Sequence, residues 1–209
     1  MKTEPFTDSK CLTNSQRDSI KKMNIYLLGY MGCGKTSTAK RLASYSQRNF
    51  VDLDDCFEAA HGAIGEYFKK QGETAFREAE RQLLHECGQL TDSIIALGGG
   101  TPCFGDNMDW LLRHGFTVYL KMNELALLQR LSNTRKKRPL LANLTDGEML
   151  SFIGEQLKQR APFYERAHLS YPGINVKTAE LWREIECGIQ LLTAKATSEA
   201  TKTTNNQRN

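Results

Sequence analysis

Eight residues, Gly29-Tyr30-Met31-Gly32-Cys33-Gly34-Lys35-Thr36, constrain this chain more than any other stretch. They fit the spacing G-x-x-x-x-G-K-[ST]. A loop of this kind wraps its backbone around a polyphosphate and points several N–H groups inward, where side chains would obstruct the approach. Gly29, Gly32 and Gly34 have no Cβ and accept positive φ, which suits the curl. Lys35 reaches the β- and γ-phosphates, Thr36 offers a hydroxyl to Mg²⁺, and a helix starting here adds the positive end of its dipole. The flanks agree with the loop. Ile25-Tyr26-Leu27-Leu28 is a short apolar run that reads as a buried strand. From Ser37 to Gln47, Ala39, Leu42 and Ala43 share one helical face, with Lys40 and Arg41 elsewhere. Strand, glycine loop and helix in this order separate the motif from a glycine-rich turn with a surface lysine.

The chain of 209 residues suffices for one α/β domain with a full core. Its net charge of +4 comes from scattered basic residues, so the balance does not argue for a nucleic-acid partner. No apolar run approaches membrane-spanning length and no secretory core is visible, which points to the cytoplasm. The six cysteines, Cys11, Cys33, Cys56, Cys87, Cys103 and Cys187, form no C-x-x-C pair, so a zinc site is not expected and the thiols are read as reduced. Cys33, in the loop at a helix N-terminus, has two readings: a reactive thiol, or a small residue in a small slot, of which the second is preferred.

Residues 1–22 are polar and aperiodic, and are expected to form a disordered tail before a single domain over 23–193. Phe50-Val51-Asp52-Leu53-Asp54 reads as a second strand and its exit. Strand alternation would point Asp52 and Asp54 the same way, at the end of the sheet where ligands bind. One carboxylate would hold Mg²⁺ through water and the other would take a proton from an attacking hydroxyl; the competing reading is a pair capping the next helix. Residues 57–90 form a helical insert, with a short helix around Ile64, Tyr67 and Phe68 and a long one from about Glu73. On its residues alone, Arg77 is a surface arginine paired with Glu73 or Glu80. Ile94 to Leu97 is a third strand ending in Gly98-Gly99-Gly100, an entropic cost that makes sense where a ligand touches the main chain. A helix at 106–114, a strand at Thr117 to Leu120, a helix from Glu124 to Leu131, a helix from Gly147 to about Arg160, a short strand around His168 to Tyr171 and a helix over 178–193 complete the domain. The basic run Arg135-Lys136-Lys137-Arg138 lies in a segment, 132–147, that suits a mobile lid over nucleotide phosphates. Residues 194–209 are expected to be disordered.

Taken together, G-Y-M-G-C-G-K-T, D-L-D at 52–54, F-R-E-A-E at 76–80, G-G-G at 98–100, K-R-P-L-L at 137–141 and R-A-P-F-Y-E-R-A at 160–167 resemble the shikimate kinase family, over nearly all of Asn24 to Leu192. The resemblance implies a nucleoside-monophosphate-kinase-like P-loop fold, a five-stranded parallel sheet flanked by helices. It implies transfer of the γ-phosphate of ATP to the 3-hydroxyl of shikimate, with Mg²⁺ as cofactor and a monomer as the working unit. It assigns Gly32, Cys33, Gly34, Lys35, Thr36 and Ser37 to ATP, Thr36 and Asp52 to Mg²⁺, and Asp54 to the shikimate hydroxyl. Arg77 and Arg160 would clamp the shikimate carboxylate, because a guanidinium binds carboxylate bidentately. Gly99 and Gly100 would contact ring hydroxyls, Arg138 would stabilise charge on the transferring phosphate, and Arg130 would stack on adenine. Lys35, Asp54 and Arg138 are thus the catalytic candidates. Leu97 departs from the family, which often carries Ser or Thr there. Two other readings stand beside this one: a different small-metabolite kinase, such as a gluconate kinase, and a non-catalytic ATP-binding regulator that uses Arg135 to Arg138 on nucleic acid.

Overall fold

The computed structural model describes residues 22–132 and 144–206. Five strands, β1 (Asn24–Leu28), β2 (Asn49–Asp52), β3 (Ser93–Ala96), β4 (Gly115–Lys121) and β5 (Leu169–Pro172), form one sheet in the order β2-β3-β1-β4-β5. Every pairing is parallel. Helices connect them: α1 (Lys35–Ser46), α2 (Leu53–His61), α3 (Ile64–Gly88), α4 (Asn107–His114), α5 (Glu124–Ser132), α6 (Asp146–Tyr164) and α7 (Thr178–Asn206). A parallel sheet needs helical crossovers, and these cover both of its faces.

The central strands β1 and β3 are buried at every position, which is why they read as unbroken apolar runs. Their side chains alternate between two cores. Ile25 and Leu27 face a layer built from Leu42 of α1, Leu127 of α5, Ile153 of α6 and Ile185 of α7. Tyr26 and Leu28 face the other, built from Leu53 of α2, Leu84 of α3 and Leu111 of α4. Each fully buried leucine there is worth about 1.5–3 kcal/mol. Burial also lifts the Tyr26 hydroxyl to about 12, so it stays neutral inside the sheet.

Three local features bear on the site or on stability. Gly72 leaves the helical region at φ 82°, ψ 174° and divides α3 into the short and long pieces expected from the sequence. At the far end of α3, Trp110 of α4 is stacked between His85 at 4.6 Å and His114 at 4.2 Å, and its ring lies over Gly88. Between β4 and β5, His168 Nδ1 accepts the Thr117 backbone N–H at 3.1 Å.

Two boundaries differ from the sequence reading. The exit of β2 is not strand through Asp54: the strand stops at Asp52, and Asp54 lies in the first turn of α2. Asp52 caps that helix by accepting the Asp54 N–H at 3.1 Å, so the two carboxylates come together through a cap rather than through strand alternation. The last helix runs to Asn206, beyond the expected end at 193. The apolar stripe stops at Leu192, but Ala194, Lys195, Ala196 and Ala200 keep a high helix propensity and the backbone continues. The expected N-terminal tail falls outside the described residues through 21, as does most of the expected lid, 133–143. Among the described residues, no helix is long and apolar enough to cross a membrane.

Candidate active site

The C-terminal ends of β1, β2 and β3 lie at one edge with the glycine loop, because the three strands run parallel. Gly34 takes φ 95° at the N-cap of α1 and offers no capping side chain, and the first turn holds no acidic residue. The first N–H groups of α1 and the positive end of its dipole are therefore open to an anion. Lys35 is 9% exposed and donates Nζ to the carbonyls of Gly29 at 2.9 Å and Tyr30 at 3.2 Å, which holds the ammonium in the mouth of the loop. Cys33 is buried beneath the loop, its Sγ 3.0 Å from where a Cβ on Gly29 would stand. That packing matches the preferred reading of Cys33 as a small residue in a small slot.

Thr36 Oγ1 donates to Asp52 Oδ2 at 2.7 Å. A hydroxyl and a carboxylate, both hard oxygen donors, are what Mg²⁺ takes from a protein when phosphates and water supply the rest. Among the described residues, no group of three or more His, Cys, Asp or Glu could hold a metal unaided. The two side chains thus fit a metal shared with a nucleotide. Beside them a cavity of about 400 Å³ is lined by Lys35, Thr36, Asp52, Asp54 and Gly99, with Leu97 contributing an apolar wall.

Asp54 is exposed to this cleft, with Asp52, Glu80 and Lys35 as its charged neighbours. Burial, then the neighbouring Asp52 and Glu80, push its carboxyl up to about 6, against the opposing pull of Lys35. A carboxylate so poised can accept a proton near neutral pH.

A second cavity, of about 600 Å³, adjoins the first through the triple glycine. Arg77 of α3 and Arg160 of α6 line it, with Gln156, Gln159 and Gly100. Arg77 Nη1 donates to Glu80 at 2.6 Å, and Nε is 3.8 Å from Glu73. The pairing read from sequence is therefore present, but Arg77 is not a surface residue; only 18% of its side chain is exposed, and it lines the cavity. Arg160 donates to Gln156 at 2.7 Å and its guanidinium lies 5.3 Å from the centre of the Tyr30 ring. Two guanidinium groups lining one cavity can together receive a carboxylate.

The glycines are small for steric reasons. A Cβ on Gly100 would stand 2.4 Å from Arg77 Nη2, and one on Gly98 would stand 2.4 Å from Glu80 Oε1 and 3.1 Å from Asp54 Oδ1. Gly99 accepts a short hydrogen bond from the Tyr164 hydroxyl on its carbonyl. The sequence reading named Gly99 and Gly100 as ring contacts and Glu80 as a partner of Arg77, but gave no role to Tyr164 and did not place Gly98 between Glu80 and Asp54. Glu80 is 2% exposed and also accepts from Thr101 Oγ1 at 2.6 Å. A signal for it existed: it stands four residues after Phe76 and four before Leu84, a charge in the middle of the buried stripe of α3.

Arg130 of α5 donates to the carbonyls of Cys33 at 3.1 Å and Gly173 at 3.2 Å. It joins the phosphate loop to the turn after β5, and a cavity of about 550 Å³ lies there, lined by Gly34, Ser37, Arg130 and Asn175. Arg138, and with it the basic run from Arg135, lies outside the described residues.

A parallel sheet of this order, a phosphate loop with a Thr–Asp pair, and an adjoining cavity with paired arginines define a P-loop phosphotransferase for a small anionic acceptor. The shikimate kinase family model matches residues 31–186, and the chain belongs to that family. Among similar proteins, the shikimate kinase of Bacteroides fragilis is 44% identical over 150 residues, 71% of this chain and 84% of the relative. The solved structure of shikimate kinase from Acinetobacter baumannii in complex with shikimate superposes with a TM-score of 0.72 at 32% identity, covering 86% of this chain and 98% of that one. A gluconokinase from Sinorhizobium meliloti reaches a TM-score of 0.52 at 18% identity, covering 86% and 98%, a likeness of fold alone.

Proposed function

We propose that this chain is an ATP-dependent shikimate kinase that moves the γ-phosphate of ATP to the 3-hydroxyl of shikimate, a step toward chorismate and the aromatic amino acids. The observation that carries the acceptor assignment is the pair Arg77 and Arg160 lining one cavity that meets the phosphate loop across Gly98 to Gly100. A gluconate kinase of the same fold requires no such clamp on a carboxylated ring.

In this reading Gly32 to Ser37 hold the ATP phosphates, with Lys35 against the β- and γ-phosphates. Thr36 and Asp52 would hold Mg²⁺, which supplies charge neutralisation between those phosphates. Asp54 accepts the proton of the attacking 3-hydroxyl. Arg77 and Arg160 clamp the carboxylate, and Gly99 and Gly100 let the ring hydroxyls approach the main chain. Arg130 borders the adenine and Arg138 closes over the transferring phosphate. Phosphoryl transfer runs on positioning and electrostatic stabilisation, so no covalent enzyme intermediate is required. The enzyme acts as a cytoplasmic monomer on two small molecules, without a nucleic-acid or membrane partner.

A steady-state assay with ATP and Mg²⁺ against shikimate, gluconate and buffer alone tests the reading. Turnover with shikimate only is the expected result; no turnover above background, or preference for gluconate, overturns it.

A further inference from the structure

Two thiols that phosphoryl transfer does not use belong to one cluster where α2 packs on α3. Cys56 is in α2, two residues after Asp54. Cys87 is in the last turn of α3, the helix that carries Arg77 and Glu80. The two thiols interact, and both belong to one cluster with Leu53 and Leu84 on the face where α2 packs against α3. Cys56 is partly exposed, whereas Cys87 is buried. Burial, with Cys56 alongside, pushes the Cys87 thiol up to about 12, so Cys87 keeps its proton and Cys56 is the member a small oxidant meets first. The other described cysteines lie elsewhere: Cys33 in the loop, Cys103 in the short turn Thr101–Cys103, and Cys187 on α7.

We propose that Cys56 and Cys87 form a reversible disulfide that ties α2 to α3 and detunes the acceptor site, with a low-molecular-weight disulfide such as glutathione disulfide as the oxidant. Cys56 loses its proton and its sulfur attacks one oxidant sulfur; the oxidant S–S bond breaks and releases one thiolate, leaving a mixed disulfide on Cys56. Cys87 then gives up its proton, and its sulfur attacks Cys56 Sγ and expels the second thiolate. The two protons end on the two released thiolates. Two protein thiols are oxidised and one oxidant disulfide is reduced to two thiols.

Bonded sulfurs stand about 2.05 Å apart, well inside any non-bonded contact, so closing the bridge draws the first turn of α2 and the end of α3 together. Asp54 sits on one of these helices and Arg77 with Glu80 on the other. Their alignment across Gly98 and Gly100 shifts, whereas Lys35 and the loop glycines belong to neither helix. The kinetic consequence rests on the proposed function.

The test uses the full-length protein incubated with glutathione disulfide, alkylated, and analysed by peptide mass. A linked Cys56–Cys87 peptide that dithiothreitol reverses is expected, with kcat/KM for shikimate lowered about tenfold and KM for ATP changed by about twofold or less. Cys56→Ser should keep the activity of the reduced enzyme and lose the response to oxidant. Persistence of a glutathione adduct on Cys56 without closure, a bridge to another cysteine, or a closed bridge with unchanged shikimate kinetics would each overturn the proposal. The peptide readout needs no substrate. If reduced enzyme fails to phosphorylate shikimate, that sinks the proposed function alone, and the bridge stands or falls on its mass.

Discussion

At the scale of single residues, the acceptor side turns on Asp54 and the two carboxylates that raise it, Asp52 and Glu80. Asp54 has its carboxyl raised to about 6 from an unfolded value near 3.8. Between those limits the folded chain holds more protons than the unfolded one, so stability falls as pH rises through that window. The charge that the proposed proton-accepting role requires thus weakens the fold at neutral pH, although solvent on the open side of Asp54 screens the effect. Asp54→Asn should abolish turnover, leave ATP affinity within about twofold, and raise the melting temperature at pH 7 by about 1–2 °C, a gain that vanishes below pH 4. Wild-type kcat/KM for shikimate should fall tenfold per pH unit below about pH 6; a flat profile down to pH 5 would remove Asp54 as the proton acceptor. Glu80 is the residue that joins the two halves of the site, since it holds Arg77 and meets Asp54 over Gly98. Gly98→Ala places a methyl 2.4 Å from Glu80 Oε1, so Glu80 must move and Arg77 loses its partner. A rise of about tenfold or more in KM for shikimate is expected, with KM for ATP much less affected, and equal effects on both would contradict the assignment.

Among the elements, those buried on both faces were the easiest to read from sequence. The apolar runs of β1, β3 and β4 announced strands because burial on both sides leaves no polar alternation to blur them. The exit of β2 was misread because Phe50-Val51-Asp52-Leu53-Asp54 satisfies strand alternation and an aspartate cap equally well, and only the path of the chain after Asp52 decides between them. Most of the site was legible because its residues sit at fixed spacings within motifs. The meeting of Glu80 with Asp54 over Gly98 was not, because it joins α3 to the end of β3 and no local spacing records it, although the place of Glu80 in the buried stripe of α3 signals its burial. The pairing of β4 with β5 carries a pH dependence of its own. His168 Nδ1 must be unprotonated to accept from Thr117, and burial lowers its pKa below the usual 6.5. The unfolded chain therefore takes up the proton first, and stability is full above pH 6.5 and falls as pH drops toward the folded value. Urea denaturation at pH 7.5 and 5.5 should show this loss. It should be smaller in His168→Asn, whose Oδ1 replaces Nδ1 as acceptor without titrating; an equal loss in that variant would assign the dependence elsewhere.

For the molecule as a whole, two ligands meeting over one sheet predict additive stabilisation. Each ligand at about one hundred times its dissociation constant adds about 2.7 kcal/mol, or roughly 5–10 °C in melting temperature for a chain of this size. ATP with Mg²⁺ and shikimate should each give such a shift. Lys35→Met should remove most of the ATP shift and keep that of shikimate, because Lys35 lines the loop and not the arginine cavity. Loss of both shifts together would mean that the two cavities do not bind independently. The chain also carries its own optical reporter of what α3 does. Trp110 is clasped between His85 and His114 at the end of the helix that bears Arg77, while the other tryptophan, Trp182, lies beneath Arg48 on the opposite side of the sheet. Indole emission depends on the rings stacked against it. With Trp182 replaced by Phe, any movement of α3 on acceptor binding would register as a change in Trp110 emission, without a dye or a label.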